Sequence, residues 1–282
     1  MPSLLSELTT HLASISDTPA LDASVLLAHI LNKPRTWVMA HSELTLGTEQ
    51  HGQLHGLLER LEHAEPFPYV LGHWEFFGMT FDITPDVLIP RPETELLVEK
   101  AIAWLQDSAV RRTVADIGTG SGIIAVSIAS HVPDAFILAT DISPEALEVA
   151  RRNAFKFGVA NRIEFIQCDL LPKRPESFST DQHLDLLCAN LPYIPTETLH
   201  ALPVYGREPT LALDGGADGL DLFRRLMTLA PDWLAPNALM LLEIEATLGI
   251  QALNLACDIF SGAEIHLHQD LTGRDRLLEV ML

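Results

Sequence analysis

From Thr113 onward, strand-like and helix-like segments alternate along the chain, and this alternation limits the folds that the chain can adopt. Strands are expected at residues 113–117, 135–140, 162–167, 184–189 and 238–244, with a last pair at 263–268 and 275–281. Helices are expected near residues 122–131, 144–157, 219–230 and 247–260. Alternating strands and helices are typical of a sheet that helices cover on both faces. The sequence therefore predicts an α/β fold.

The first of these strands runs into a glycine-rich turn that opens the next helix. Glycines let the backbone approach a ligand closely, and a helix start offers free N–H groups to an anion. A dinucleotide site would have a glycine at Ile123, and a phosphate-binding P-loop would have Gly-Lys before Ser or Thr. Neither pattern is present, so the turn predicts a loop for another ligand. The residues of this Gly loop are Gly118, Thr119, Gly120, Ser121 and Gly122.

Acidic residues end the next two strands. Asp141 follows the second strand, 19 residues after Gly122, where a carboxylate can accept hydrogen bonds from both ribose hydroxyls. Asp169 and Leu170 end the third strand, where they would flank an adenine ring, with Asp169 accepting from its amino group. The three strand ends together predict S-adenosylmethionine as a ligand. The alternative is a structural glycine turn with two aspartates that cap the following helices.

A stiff segment that we call the ledge, Asn190-Leu191-Pro192-Tyr193, follows the fourth strand. Asn190 presents an amide with one acceptor and two donors, and Tyr193 offers a flat face for a planar group. Pro192 removes a backbone donor and fixes φ, so the segment cannot continue as a helix or central strand. Ligands of open α/β sheets bind at such strand ends. The ledge predicts a second ligand site, and a plain proline-rich turn is the alternative.

The remainder of the chain divides, by its pattern, into a helical part and a connecting part. Residues 1–65 show helical spacing of leucines, with Asp22 as a possible cap of a second helix, and contain no candidate catalytic group. We interpret them as a domain that recognises a partner. Residues 66–90 are rich in aromatic and β-branched residues and predict a linking β-hairpin. Residues 91–282 would then form the ligand-binding domain.

Charge and cysteine content exclude several classes of protein. The chain has 18 Lys and Arg against 38 Asp and Glu, a formal net charge of −20, and no basic run. Such a chain repels nucleic acid at long range, so no direct nucleic-acid partner is expected. Three widely spaced cysteines give no metal-ligand or redox pairing, so no metal is expected and a cytoplasmic location is favoured. The sequence shows no secretory signal and no apolar stretch of membrane-spanning length.

Taken together, these motifs resemble those of the release factor glutamine methyltransferases, the PrmC/HemK family of class I, Rossmann-like methyltransferases. The match runs from about Glu65 to the C-terminus, and the family carries a similar helical domain before it. The ledge alone is shared with adenine methyltransferases, but its combination with Arg-Pro-Glu-Thr-Glu is much more specific. The matching stretches are residues 89–95, 116–122, 190–193, 207–209, 213–216 and 273–276.

The resemblance implies an enzyme that methylates the glutamine side-chain amide in the Gly-Gly-Gln motif of peptide chain release factors. A monomer is expected, although the sequence does not indicate the oligomeric state. The Asn190 side-chain oxygen and the carbonyl of Leu191 would hold the substrate amide, and Asn190 would also border the cofactor. Pro192, Tyr193 and Arg91 would complete the substrate site. The family usually has proline at position 191, so this chain is expected to keep the carbonyl but lose some stiffness. Two other functions stay open at this point: methylation of adenine in DNA or RNA, and non-catalytic adenosine binding by a scaffold protein.

Overall fold

The computed structural model describes residues 3–172 and 183–282. The chain forms two compact units, Met1–His73 and Trp74–Leu282. The three-part division expected from the sequence, with boundaries after residues 65 and 90, remains a prediction. None of the helices in the described ranges has the length and apolar character that a membrane span needs.

The first unit is helical, as its leucine spacing predicts. Ser3 caps the first helix, because its Oγ accepts a hydrogen bond from the N–H of Ser6 at 3.3 Å. Asp22 is not a helix cap: the second helix begins at Pro19, and the Asp22 carboxylate accepts a hydrogen bond from Ser16 at 2.5 Å instead. The helices are α1 (Leu4–Leu12), α2 (Pro19–Leu31), α3 (Arg35–Ala40), α4 (Thr48–Glu62) and α5 (Phe67–Leu71).

The predicted hairpin is present but shorter than expected, because α5 occupies the start of its segment. Its strands are β1 (His73–Phe76) and β2 (Met79–Asp82). Phe77 and Gly78 both have positive φ, of 50° and 69°, as a two-residue type I′ turn requires.

The second unit is built on a seven-stranded sheet in the order β5-β4-β3-β6-β7-β9-β8. The first five strands in this order are parallel, and β9 runs antiparallel between β7 and β8. The strands are β3 (Thr113–Ile117), β4 (Phe136–Asp141), β5 (Ile163–Gln167), β6 (Leu184–Ala189), β7 (Leu234–Glu243), β8 (Glu264–Gln269) and β9 (Asp275–Met281).

Helices follow most strands of this sheet and cover both of its faces, which confirms the predicted fold. They are α6 (Thr94–Gln106), α7 (Ile123–His131), α8 (Pro144–Lys156), α9 (Thr196–Leu199), α10 (Asp221–Leu229) and α11 (Gly249–Ile259). β7 begins four residues earlier than expected, at Leu234, where it pairs with Leu184 of β6. The apolar strands β3, β6 and β7 pack with α10 and α11 in one core.

The order of the strands reverses at β3, which has β4 on one side and β6 on the other. Ligands of open α/β sheets bind at such a switch point, beyond the carboxyl ends of the strands. Ile117 of β3 is in register with Thr140 of β4 and with Ala189 of β6. The next residues along these three strands are Gly118, Asp141 and Asn190, so the register itself brings the Gly loop, the Asp141 carboxylate and the ledge to one edge.

Candidate active site

A cavity of about 790 Å³ opens at this edge of the sheet, within the size range of small-molecule sites. Its wall brings together most of the site residues expected from the sequence: Arg91, Gly118, Thr119, Gly120, Ser121, Asp141, Asp169, Leu170, Asn190, Leu191 and Pro192. Gly122 and Tyr193 are not on its wall. Gly122 is the N-cap residue of α7, and the side chain of Tyr193, the last residue of the ledge, packs against the core.

Asp141 shapes the Gly loop through its two carboxylate oxygens. Oδ2 accepts a hydrogen bond from the N–H of Gly120, and Oδ1 accepts one from the N–H of Ser143, each at 2.9 Å. Burial raises the pKa of Asp141, while its hydrogen bonds to backbone N–H groups oppose the rise. A carboxylate oxygen has two lone pairs, so each still has capacity for a ribose hydroxyl.

A second acid, Asp116, lies buried beneath the loop. Its Oδ2 accepts hydrogen bonds from the Thr119 hydroxyl at 2.6 Å and from the N–H of Ala125 at 3.1 Å. Desolvation raises the pKa of Asp116 to about 7, against the lowering effect of these hydrogen bonds. The two hydrogen bonds join the Gly loop to the first turn of α7, so the Asp116 side chain restrains the loop.

Asp169 has a partner that the sequence did not indicate. Its Oδ2 accepts a hydrogen bond from Arg225 Nη2 of α10 at 2.6 Å, and both side chains are about half exposed. Arg225 also lines the cavity. Among the described residues, Oδ1 of Asp169 accepts no hydrogen bond, so this oxygen is available to an amino group of a ligand.

Asn153 of α8 connects the loop to the hairpin. This fully buried side chain donates to the carbonyl oxygen of Ser121 at 2.8 Å and of Asp82 at 3.0 Å. Its Oδ1 accepts from the N–H of Asp82 at 2.8 Å. The hairpin thereby supports the far end of the Gly loop, a role that its sequence did not indicate.

The ledge packs directly against the Gly loop through Leu191, whose side chain is 3% exposed. Gly118 has φ of +70°, and a Cβ there would lie 3.1 Å from Cδ2 of Leu191. Only glycine combines this backbone conformation with so close an approach.

Residues 213–216 form a backing strip behind the ledge. The N–H of Ile194 donates to the carbonyl of Leu213 at 3.1 Å, and the N–H of Gly215 donates to the carbonyl of Ile194 at 2.8 Å. A Cβ on Gly215 would lie 2.7 Å from Cα of Tyr193, which excludes any side chain there. This contact explains why the motif at residues 190–193 and the motif at residues 213–216 occur together, although they are separated in sequence.

Behind the ledge lies a small buried polar network. Asn190 Nδ2 donates to the Thr94 hydroxyl at 3.1 Å, and the Tyr193 hydroxyl lies 3.5 Å from Oε1 of Glu243. Glu243, at the end of β7, is 2% exposed, and burial raises its pKa to about 7; hydrogen bonds from Thr94 and Tyr193 oppose the rise. Burial also raises the pKa of Tyr193, so its phenol stays protonated at neutral pH.

Arg91 is fixed by Glu208, a residue of the Arg-Glu-Pro motif. Arg91 Nη2 donates to Oε1 of Glu208 at 2.5 Å, and the N–H of Ile89 donates to Oε2 at 3.0 Å. The side chain of Glu208 is only 6% exposed. The side chain of Arg91 is therefore fixed in the wall of the cavity by Glu208.

Sequence reasoning assigned no role to Thr94, Glu208, Arg225 or Glu243. Glu243 had a usable signal, because a carboxylate directly after the apolar run Leu239–Leu242 is the same pattern that marked Asp141. Thr94 and Glu208 lay inside motifs whose partners only the fold reveals. Arg225 had no signal beyond its charge.

The PrmC N-terminal domain model matches residues 3–72, and a methyltransferase domain model matches residues 110–211. The release factor glutamine methyltransferase of Moorella thermoacetica is 42% identical over 262 residues, covering 92% of this chain and 90% of that protein. That of Bordetella pertussis is 38% identical, covering 92% and 93%. The chain belongs to the release factor glutamine methyltransferase family.

Solved structures with low identity support the fold alone. A methyltransferase from Pyrococcus furiosus superposes with a TM-score of 0.51 at 16% identity, covering 83% of this chain and 98% of that one. A T. thermophilus 16S rRNA N2 G1207 methyltransferase, in complex with AdoMet and guanosine, superposes with a TM-score of 0.52 at 17% identity, covering 74% and 49%. The predicted methyltransferase fold is thereby confirmed.

Membership of the release factor glutamine methyltransferase family also confirms the predicted class of enzyme and its cofactor, S-adenosylmethionine. The cavity suits this cofactor. It combines a glycine cradle, a carboxylate at the end of β4, and a carboxylate with a free oxygen after β5. Its volume of about 790 Å³ leaves room for a second small group beside the cofactor.

Proposed function

We propose that this protein methylates the side-chain amide nitrogen of the glutamine in the Gly-Gly-Gln motif of peptide chain release factors. The observation that carries the proposal is the contact of the ledge with the Gly loop at Leu191 and Gly118. One cavity thus receives both a cofactor and a flat polar group presented to Asn190. The relatives from Moorella thermoacetica and Bordetella pertussis are named release factor glutamine methyltransferases.

The difficulty of the reaction lies in the nucleophile. An amide nitrogen delocalises its lone pair into the carbonyl, with a rotation barrier of about 18–20 kcal/mol. When bound, S-adenosylmethionine supplies an electrophilic methyl group on a sulfonium sulfur. The protein must therefore increase the electron density on the amide nitrogen and hold it in line with that methyl group.

The ledge supplies two acceptors for this purpose. Among the described residues, neither Oδ1 of Asn190 nor the carbonyl oxygen of Leu191 accepts a hydrogen bond. We assign them to the two hydrogens of the glutamine amide, where they stabilise positive charge that develops on nitrogen. The methyl group's bond to sulfur would break as its bond to nitrogen forms, with the neutral thioether as leaving group. The alkylated nitrogen is acidic and loses its proton to water late, so no strong general base is needed.

Alignment is the second contribution of the ledge. Pro192 and the backing strip fix the backbone. Tyr193 was expected to hold the plane of the amide, but its side chain does not line the cavity and packs against the core instead. Arg91, fixed by Glu208, borders the entrance and is assigned to the substrate's main chain or carboxylates. Correct alignment of two bound reactants contributes about 7–11 kcal/mol to lowering a barrier.

We assign recognition of the release factor to the helical residues 1–65, and a connecting role to residues 66–90. Every proposed site residue lies after Pro90, whereas the helical unit matches the PrmC N-terminal domain model. The enzyme is proposed to act in the cytoplasm as a monomer on protein rather than nucleic acid. Its net charge of −20 opposes binding of a polyanion.

The test is methyl transfer from radiolabelled S-adenosylmethionine to purified release factor. The control substrate is the same release factor with the Gly-Gly-Gln glutamine replaced by asparagine, which shortens the side chain by one methylene. Single-stranded oligonucleotides rich in adenine form a third arm. Label in release factor alone, and only with glutamine present, is the expected result. Label in oligonucleotide would assign the ledge to adenine, and no transfer at all would support an adenosine-binding scaffold.

A further inference from the structure

We propose that Arg225 is a positioning residue for the cofactor: its guanidinium holds one carboxylate oxygen of Asp169, so that the other oxygen faces the amino group of adenine. This role goes beyond the proposed function, and it rests on the assignment of Asp169 to that amino group. It concerns a residue outside every motif that the sequence offered.

Asp169 lies in a short segment directly after β5, Cys168-Asp169-Leu170, that we call the adenine turn. The N–H of Cys168 donates to the carbonyl oxygen of Asp141 at 2.9 Å. The hydroxyl of Thr140, a fully buried residue, donates to the carbonyl oxygen of Leu170 at 2.7 Å. Both ends of the adenine turn are therefore tied to the end of β4, and its main chain is fixed by the protein itself.

The adenine turn and α10 share one core. Leu170 has φ of +64°, a conformation that residues with a Cβ seldom adopt, and its side chain is 7% exposed. It belongs to the same buried cluster as Phe223 and Leu226 of α10. Arg225 lies between these two residues in the helix and reaches the cavity wall. The backbones that carry Asp169 and Arg225 are therefore held by the same packing.

The carboxylate of Asp169 is not fixed by its main chain, because a side chain that is about half exposed can turn towards solvent. Arg225 Nη2 donates to Oδ2 of Asp169 at 2.6 Å. Within residues 3–172 and 183–282, this is the one side-chain hydrogen bond that either residue makes. Oδ1 keeps its acceptor capacity, and we assign it to a donor in the cavity. The contact with Arg225 thus selects one orientation of the carboxylate.

Stability alone does not explain this contact, because a half-exposed ion pair contributes little to it. Ordering a flexible side chain when a ligand binds weakens binding, and a side chain that is already held avoids this cost. Asp169 held in advance therefore improves binding of a purine that carries an amino group at this place. It gives no advantage to a purine without that group.

The neighbouring Arg224 provides a matched comparison. Its side-chain partners among the described residues are Asp218 and Asp221, and it is not on the cavity wall. The side chains of Arg224 and Arg225 are 44% and 51% exposed. Arg224→Met therefore removes the same charge from the same turn of α10 without removing a partner of Asp169.

The test is isothermal calorimetry on the full-length protein with two ligands: S-adenosylhomocysteine and its analogue with purine in place of adenine. The analogue lacks only the amino group, so the ratio of the two dissociation constants measures recognition of that group. We expect wild type to prefer S-adenosylhomocysteine by about tenfold or more, the scale of a hydrogen bond to a charged group. Asp169→Ala should abolish this preference.

Arg225→Met keeps the apolar stem of arginine but removes its donors. It should weaken binding of S-adenosylhomocysteine by about threefold to tenfold, the range expected for ordering one side chain, and leave binding of the purine analogue unchanged. Arg225→Lys keeps a charged donor and should restore part of the preference, and Arg224→Met should keep all of it. In turnover, Arg225→Met should raise KM for S-adenosylmethionine and leave kcat on release factor unchanged.

Direct contact of Arg225 with the purine ring would give a different result: Arg225→Met would weaken both ligands equally and leave their ratio unchanged. That result would overturn the inference. So would an equal effect of Arg225→Met in wild type and in Asp169→Ala, because a residue that acts through Asp169 has no effect in its absence. If Arg225→Met does not fold, Arg225→Gln decides by the same ratio.

A wild-type protein that binds both ligands equally would refute the assignment of Asp169 and, with it, the role of Arg225. Binding of these two ligands requires no glutamine. Absence of methyl transfer to release factor, together with the expected ratios, would therefore refute the proposed function and leave the role of Arg225 in place.

Discussion

The carboxylate of Glu208 binds the guanidinium of Arg91 at 2.5 Å, across 117 residues of sequence. Glu208 also accepts from the N–H of Ile89, so it fixes both the side chain and the backbone of the segment that precedes α6. The segment that contains Ile89 and Arg91 and the motif that contains Glu208 therefore form one hydrogen-bonded unit. The wall of the cavity depends on both.

We predict that Glu208→Gln lowers the free energy of unfolding by about 1.5–3 kcal/mol, because a hydrogen bond between charged groups is lost in a mostly buried place. Urea denaturation measures the change. Lys156→Gln is the matched control, since it breaks an exposed ion pair with Asp82. That variant should lose no more than about 1 kcal/mol. Equal losses in the two variants would mean that Glu208 contributes no more than a surface charge.

Asn190 carries the proposed chemistry. Asn190→Ala should reduce methyl transfer by about 10²–10³, the usual effect of removing one charge-stabilising group from a preorganised site. S-adenosylmethionine binding should remain nearly intact. Asn190→Asp keeps an acceptor oxygen but adds a charge, so its activity separates acceptor strength from the geometry of a neutral amide. Near-normal turnover of Asn190→Ala on a glutamine peptide would make the ledge a structural turn.

Asp141 is predicted to act mainly on the cofactor. Asp141→Ala should weaken S-adenosylmethionine binding by roughly 1.5–3 kcal/mol, through loss of charge-assisted hydrogen bonds and of the support that Gly120 receives. Asp141→Asn, which keeps one acceptor oxygen, should lose less. Isothermal calorimetry measures both. Unchanged affinity in the alanine variant would remove Asp141 from the ribose role.

Stability should depend on pH through Glu243. Its pKa rises from 4.5 to about 7 on folding, so the folded state binds its proton more tightly than the unfolded state does. The group's contribution to stability is therefore full below about pH 4.5 and lost as the pH rises towards 7. Glu243→Gln removes this dependence. Relative to wild type, it should gain on the order of 3 kcal/mol between pH 4.5 and pH 8.

Denaturation of both proteins at several pH values tests this, with Ser127→Ala as the control whose difference from wild type should stay constant. A constant difference for Glu243→Gln would mean that the acid does not change its protonation on folding.

The helical residues 1–65 are predicted to decide which protein is methylated. A protein that begins near Pro66 should bind S-adenosylmethionine with normal affinity, because the proposed cofactor residues all lie after Pro90. Its kcat/KM on intact release factor should fall, whereas that on a short glutamine peptide should change little. Cofactor binding serves as the control for folding. Full activity on intact release factor would contradict the recognition role.

The sequence predicted those parts of the site that lie next to one another at strand ends. Gly118, Asp141 and Asn190 each follow an apolar strand, and parallel strands bring their ends to one edge of a sheet. The sequence identified the motifs that contain Glu208 and Thr94 but not the roles of these two residues, because their partners are fixed only by the packing of distant segments. Asp22 was assigned wrongly as a cap, since Pro19 at the helix start was the stronger signal.

We infer from the contact of Leu191 with Gly118 that the two proposed ligand sites are thermodynamically linked. When bound cofactor orders the Gly loop, the loop restrains the ledge. Part of the conformational entropy that glutamine binding would cost has then already been lost on cofactor binding. Such coupling is reciprocal: the factor by which cofactor tightens the hold on glutamine equals the factor by which glutamine tightens the hold on cofactor. We therefore expect heterotropic cooperativity between cofactor and glutamine substrate, transmitted by the contact of Leu191 with Gly118.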